Sequence, residues 1–218
     1  MKNLIIISLL FLFSCAKDGK NIYIEGKVVN PVTGQPIEGI RLVLHKMTSD
    51  LGSGSSSVIK DESYSDINGN FTLSHNGSLF NNYIVLVEYP NEGYHLVGWK
   101  DATGQNVGGY QLDVKKGELM DVRLELLEYC DVFFSYDNIN CYNGNDSLFL
   151  DVRSAEYIVT DGYYIKVVGC NTFTSGPVKI PQGTYTLSGI IKRGGVSTNF
   201  NSIQTIWPDS VNTFEIFY

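Results

Sequence analysis

Alanine is nearly missing from this chain. Ala16, Ala102 and Ala155 stand against 22 Gly and 14 Tyr in 218 residues. Ala is the strongest helix former, while Gly and aromatics suit turns and strands, so helices are not expected to carry the fold. Positive charge is also short: 16 Lys and Arg face 23 Asp and Glu, a formal charge of −7. Phosphate binding needs a basic face, so this balance argues against nucleic acid as a partner, and none is expected. No apolar run reaches the roughly 20 residues that cross a bilayer as a helix. Four cysteines without CxxC-like spacing argue against a zinc site. No G-x-S-x-G elbow, H-E-x-x-H helix or P-loop occurs, and no cofactor is expected. At 43% apolar and 18% charged residues the composition is globular, and the length allows one or two domains.

The chain opens MKNLIIISLLFLFSCAKDGK. Lys2 followed by the ten-residue apolar run Leu4–Phe13 reads as a secretory leader. Leu12-Phe13-Ser14-Cys15 resembles the lipobox of bacterial lipoproteins, with Phe13 where a small residue is usual. The resemblance implies a signal peptide over residues 1–14, acyl chains (palmitate among them) on Cys15, and a membrane partner through that anchor. Each buried CH₂ contributes about 0.8 kcal/mol, so several chains hold far more firmly than one. Without the leader the formal charge is −8. Residues 15–20 then form the lipidated Cys and a polar tether. Its Lys-acid pair resembles surface-export signals of Bacteroidetes lipoproteins, and a plain solvated linker is the other reading. The expected place is the cell envelope, on the outer membrane, facing the periplasm or the surface.

From Asn21 the pattern has period two. Ile22, Ile24 and Val28 share one face of a strand, and Tyr23, Glu25 and Lys27 the other. Ile40–Lys46 reads as a second strand and residues 48–62 as a loop rich in Ser, Gly and Asp. Asn68-Gly69 predicts a hairpin turn before Phe71-Thr72-Leu73. Tyr83–Tyr89 is apolar enough for a central strand, Tyr94–Trp99 follows it, and Met120–Leu126 alternates cleanly. Gly26-Lys27-Val28-Val29, then Thr33-Gly34-Gln35-Pro36-Ile37-Glu38-Gly39-Ile40, then Ser65-Asp66-Ile67-Asn68-Gly69-Asn70-Phe71 resemble the carboxypeptidase regulatory-like family, with Asn30 in place of its usual Asp. The resemblance covers residues 21–127 and implies a transthyretin-like β-sandwich whose motifs make turns. Some transthyretin-fold proteins hydrolyse 5-hydroxyisourate with His, Arg and a C-terminal Tyr-Arg-Gly-Ser, a tetrapeptide not found here.

Residues 128–218 keep the same texture. Strands are predicted at Asp131–Tyr136, Ser147–Arg153, Gly162–Val168, Thr184–Lys192, Val196–Ile206 and Val211–Tyr218. The fold class expected is therefore all-β: two tandem β-sandwich domains, transthyretin-like or Ig-like, with a nearly continuous strand across the boundary.

Candidate chemistry is sparse. With Cys15 lipidated, Cys130, Cys141 and Cys170 allow three disulfide pairings, since export favours oxidation. We expect Cys141–Cys170, because a straight strand over 131–136 separates Cys130 from Cys141. His45, His75 and His95 are placed on a strand, in a loop and on a strand, with no metal-binding spacing. The Asp66–Asn70 and Asp137–Asp146 segments are rich in oxygen ligands, but both read as turns or polar loops rather than calcium sites. Trp99 and Trp207 are candidate stacking platforms for a glycan, and aromatic core filling is the plainer reading. Asp146-Ser147-Leu148 and Asp209-Ser210-Val211 resemble the short O-glycosylation sequence of Bacteroidetes, which nominates Ser147 and Ser210. The expected role is a binding or structural β-scaffold without a catalytic site and with a protein or glycan partner. The alternatives are a glycan-binding accessory lipoprotein or a surface-fibre (adhesin) subunit joined by strand addition, with Val211–Tyr218 as the displaceable strand.

Overall fold

The computed structural model describes residues 19–50, 54–78, 80–88, 93–157 and 163–218. The expected leader, Cys15 and the expected tether up to residue 18 lie outside them, and Gly19 and Lys20, expected in the tether, instead open the first strand, paired with Ser78 and Gly77. Among the described residues every regular element is a strand, and no helix is long and apolar enough to cross a membrane.

The first nine strands are β1 (Gly19–Val29), β2 (Arg41–Asp50), β3 (Gly54–Tyr64), β4 (Asn70–Ser78), β5 (Asn82–Glu88), β6 (Tyr94–Asp101), β7 (Asn106–Gly108), β8 (Gln111–Asp113) and β9 (Leu119–Asp137). They follow one hydrogen-bonded path, β3-β2-β5-β8-β7-β6-β9-β1-β4. β1 shows why the period-two pattern folds this way. Ile22, Ile24 and Val28 are fully buried while Tyr23 and Lys27 reach solvent. Strand side chains alternate between faces, so one register serves a dry side and a wet side. Gly26 sits between them because a Cβ there would strike the Val122 carbonyl and the Phe71 ring. The path wraps around a first core that includes Ile22, Ile24, Leu42, Leu44, Phe71, Leu73, Val85, Trp99 and Leu124.

Three expectations for this half need correction. Within the expected loop 48–62, residues 48–50 belong to β2 and 54–62 to β3, which pairs antiparallel with β2, while 51–53 lie outside the described residues. The Ser-rich stretch is polar on both faces, as an edge strand can be, so its pattern carried no apolar alternation. Asn68-Gly69 does make a turn, with Gly69 at φ 77° and its amide donating to Asp66 O at 2.7 Å. It does not join a paired hairpin, since β3 and β4 lie at opposite ends of the path. Side chains close that gap: the Ser74 amide donates to Asp61 Oδ2 at 2.6 Å and the Thr72 amide to Ser63 Oγ at 3.4 Å. His75 lies on β4 rather than in a loop.

The remaining strands are β10 (Ser147–Ser154), β11 (Tyr163–Val168), β12 (Phe173–Thr174), β13 (Val178–Pro181), β14 (Gly183–Arg193), β15 (Val196–Ile206) and β16 (Asn212–Phe217). β11-β10-β14-β15 forms a four-stranded antiparallel sheet. The second half of β9 pairs with β12, β13 and β16. The short β12 and β13 escaped sequence reading because two and four residues hold too little periodicity. A second core fills the space between these layers, with Val132, Phe134, Tyr136, Leu148, Leu150, Tyr185, Leu187, Phe214 and Ile216. The sheets are sandwich-like in both halves.

β9 ties the cores together. Its 19 residues keep one phase, with Met120, Val122, Leu124 and Leu126 in the first core and Cys130, Val132, Phe134 and Tyr136 in the second. A second link is polar. The fully buried Gln182 donates from Nε2 to Asn30 Oδ1 at 3.0 Å. That Asn30 oxygen also accepts from the amides of Val32 and Thr33, which shapes the Pro31–Gln35 turn.

Candidate functional site

Cys141 and Cys170 form a disulfide with Cα atoms 5.3 Å apart, and the loop that carries Cys141 is held by a buried polar cluster. Asp146, 1% exposed, accepts at Oδ2 from the Tyr142 amide at 2.8 Å, from Asn138 Nδ2 at 3.3 Å and from Arg193 Nε at 3.4 Å. Arg193 Nη2 donates to Asn138 Oδ1 at 2.8 Å, and Asn138 Nδ2 also donates to Gly169 O at 3.1 Å. Burial alone would raise the Asp146 pKa. The amides of Tyr142, Asn138 and Asn143 and the Arg193 guanidinium outweigh it, so the carboxyl titrates below its ordinary range. The cluster pins the Asp137–Asp146 loop through Asp146 Oδ2, while Asp146 Oδ1 is buried with no hydrogen-bond partner among the described residues.

Other titratable groups are equally engaged. Asp66 Oδ1 accepts from the amides of Asn70 and Asn68, both at 2.8 Å, and these bonds hold its pKa below the ordinary carboxyl value. Cys130 is a buried thiol pushed up to about 11, first by burial and then by Glu128. A thiol held that high stays protonated and poorly nucleophilic. His45 Nδ1 lies 3.1 Å from Ser57 Oγ, and the His75 ring packs on Tyr83. His95 lies between Tyr129 and Tyr157, with ring centres 6.1 and 4.3 Å away, and burial lowers its pKa. Among the described residues no group of three or more His, Cys, Asp or Glu is placed to hold a metal ion.

The nominated surface residues divide. Trp99 is 0% exposed and meets the Phe71 ring edge-on at 6.3 Å, so it is core and cannot stack on a glycan. Trp207 is half exposed, at the turn into β16. Ser147 is buried where β10 lies between β11 and β14, which removes it as an acceptor in the folded chain. Ser210 is exposed, and its hydroxyl donates to Trp207 O at 2.8 Å. The strand cast as displaceable is instead built in: β16 pairs in parallel with β9, and Phe214, Ile216 and Tyr218 are buried.

Two surfaces went unnoticed in the sequence. One is the outer face of β10, β11 and β14, a shallow groove of about 300 Å³ lined by Phe149, Asp151, Tyr164, Lys166, Ser188 and Ile190. Lys166 and Lys192 lie 5.4 and 5.2 Å from the centre of the Phe149 ring, within cation–π reach. Period two showed which residues alternate, not which strands stand side by side. The other surface is the outer edge of β15, the last strand of its sheet.

No family model and no curated protein matches this chain. Solved structures do show a likeness. A shaft pilin from Lactobacillus rhamnosus GG aligns over 91% of this chain and 97% of its own, at 11% identity and a TM-score of 0.33. The minor pilin of Streptococcus agalactiae aligns over 90% and 94%, at 12% identity and a TM-score of 0.35. The Bacillus anthracis TIE protein aligns over 91% of this chain and 34% of its own, at 12% identity and a TM-score of 0.36. Scores at this level carry no argument, so neither a family nor a function is taken from them.

Proposed function

We propose that this chain is a non-catalytic β-scaffold of the cell envelope, a lipoprotein held at Cys15, whose role is structural or binding. We read it as two tandem sandwich domains, 21–127 and 128–218, the first of the carboxypeptidase regulatory-like kind. The observation that carries the reading is where the reactive side chains are engaged. Asp66 shapes a turn, Asp146 is locked under Arg193, Cys130 is a buried thiol, and His95 is wedged between tyrosines. Each supports the fold and leaves little for turnover. Loops and sheet edges on a rigid scaffold are then the recognition surfaces. Labelling cells with radioactive palmitate tests the anchor: the native chain takes up label and C15S does not. Unlabelled native chain would overturn it. Crosslinking in the intact envelope, then pull-down, tests the role and should capture a discrete protein or glycan.

A second reading, a surface-fibre subunit, is favoured by one feature, the open edge of β15. It now uses that edge rather than release of β16. The glycan-binding reading loses Trp99 and retains only Trp207.

A further inference from the structure

The edge strands of this molecule are protected in different ways, and among the described residues nothing protects β15. Exposed edges offer unpaired N–H and C=O groups, and native proteins blunt them with charge, Pro, bulges, short length or covering. β3 carries Lys60, Asp61 and Glu62, and its pairing with β2 is interrupted by a register shift. The β4 edge is covered by Asp61 and Ser63. β11 is six residues long with Lys166 in the middle, β13 is four residues with Lys179 and Pro181, and β16 is six with Glu215. β15 runs for 11 residues, VSTNFNSIQTI, with no charged residue, Pro or Gly. Its ladder with β14 is unbroken from Arg193↔Val196 to Gly183↔Ile206, and no described strand pairs with its other flank.

The hairpin fixes which groups face outward. Gly194 and Gly195 both have positive φ and form the two-residue loop closed by the Arg193↔Val196 pair. In such a hairpin the closing pair exchanges hydrogen bonds, so Val196 and every second residue after it bond to β14. The backbone groups of Ser197, Asn199, Asn201, Ile203 and Thr205 therefore point away from the sheet. All five residues are exposed.

We infer that β15 is a self-association edge, and that its occupant is the β15 strand of a second copy of this chain, antiparallel across a two-fold axis at Asn201. Three features select a second copy in this arrangement. An axis at Asn201 places Asn199 opposite Ile203 and Ser197 opposite Thr205, so all five outward-facing residues on each strand are paired. A two-fold also sets Asn201 beside its own twin, where a charge would repel itself, and β15 carries no charge of either sign along its length although the chain carries −7. The other open edge of this sheet, β11, is shorter and carries Lys166, so it matches 11 residues poorly. The inference rests on the same edge as the fibre reading, but a two-fold closes the assembly at two copies.

Sedimentation velocity of the full chain in detergent over a wide concentration range tests it. A reversible monomer–dimer equilibrium is expected. N201K, which sets two ammonium groups together at the axis, should weaken it by up to about fivefold, with an unchanged circular-dichroism melt. N199K alone and I203E alone should each shift the equilibrium, and N199K/I203E should restore it, because the pairing sets those positions across from each other. A monomer at all concentrations overturns the inference. So does an open polymer, which would support the fibre reading instead, and so does a dimer indifferent to N201K.

Discussion

The two cores solve one problem with different chemistry. The first is largely aliphatic around a single Trp99–Phe71 contact, it contains no disulfide, and β3 and β4 meet through side-chain hydrogen bonds. The second is aromatic, with Phe134 edge-on to Phe214 at 5.1 Å and Tyr185 5.7 Å from the same ring. It adds the Cys141–Cys170 bridge and the buried Asn138–Asp146–Arg193 cluster. The first half wraps one continuous nine-strand path around its core. The second has fewer paired strands around its core and adds covalent and ionic ties at the loop end.

The contrast can be broken from either side. The largest effect should come from W99A, which empties the biggest fully buried side chain and should cost about 3–5 kcal/mol. Denaturant melts followed by probes in each half should show the first core lost early and the second unmoved. W99F should cost much less, since the indole Nε1 has no hydrogen-bond partner among the described residues. Next is the disulfide. C141S/C170S opens a bridge spanning 29 residues and should cost about 2–4 kcal/mol, confined to the second core. Transitions of both halves that shift together would mean the cores unfold as one.

A smaller effect tests the polar link. Q182A leaves Asn30 its two turn amides but removes the bond between halves, and should cost about 1 kcal/mol while spreading the two transitions. The smallest effect is in the acid limb. Asp66 and Asp146 both titrate low when folded, so each adds stability that is complete above the ordinary carboxyl pKa and fades as pH falls through its folded value. Melting temperatures measured from about pH 6 down to about pH 3 should fall in both halves. D66N should flatten the fall only in the first core, and D146N only in the second.

Much of the architecture could be read from periodicity. β1, β9 and β14 each bury one face against a core, and that face is written as every second residue, while β5 buries Tyr83, Ile84 and Val85 in succession and is written as a continuous apolar run. β3 could not be read this way, because an edge strand of Ser, Lys and Asp buries neither face. The core place of Trp99, the plainer of its two readings, and the burial of Ser147 could not be decided from sequence for a related reason. A residue type suggests what a side chain can do, but exposure depends on which strands lie beside it, and those neighbours are distant in sequence. The β15 edge was legible in part. Its lack of charge stands in the sequence, but its position at the end of a sheet does not.

By itself, then, the sequence determined strand content, the phase of each strand and the turns at Gly and Asn, because these depend on φ, ψ and the i, i+2 alternation. Only the tertiary structure decided strand order, the burial of Trp99 and Asp146, the wedging of His95 and which edge remains open. Those depend on pairings between residues far apart along the chain, where no local pattern records the partner.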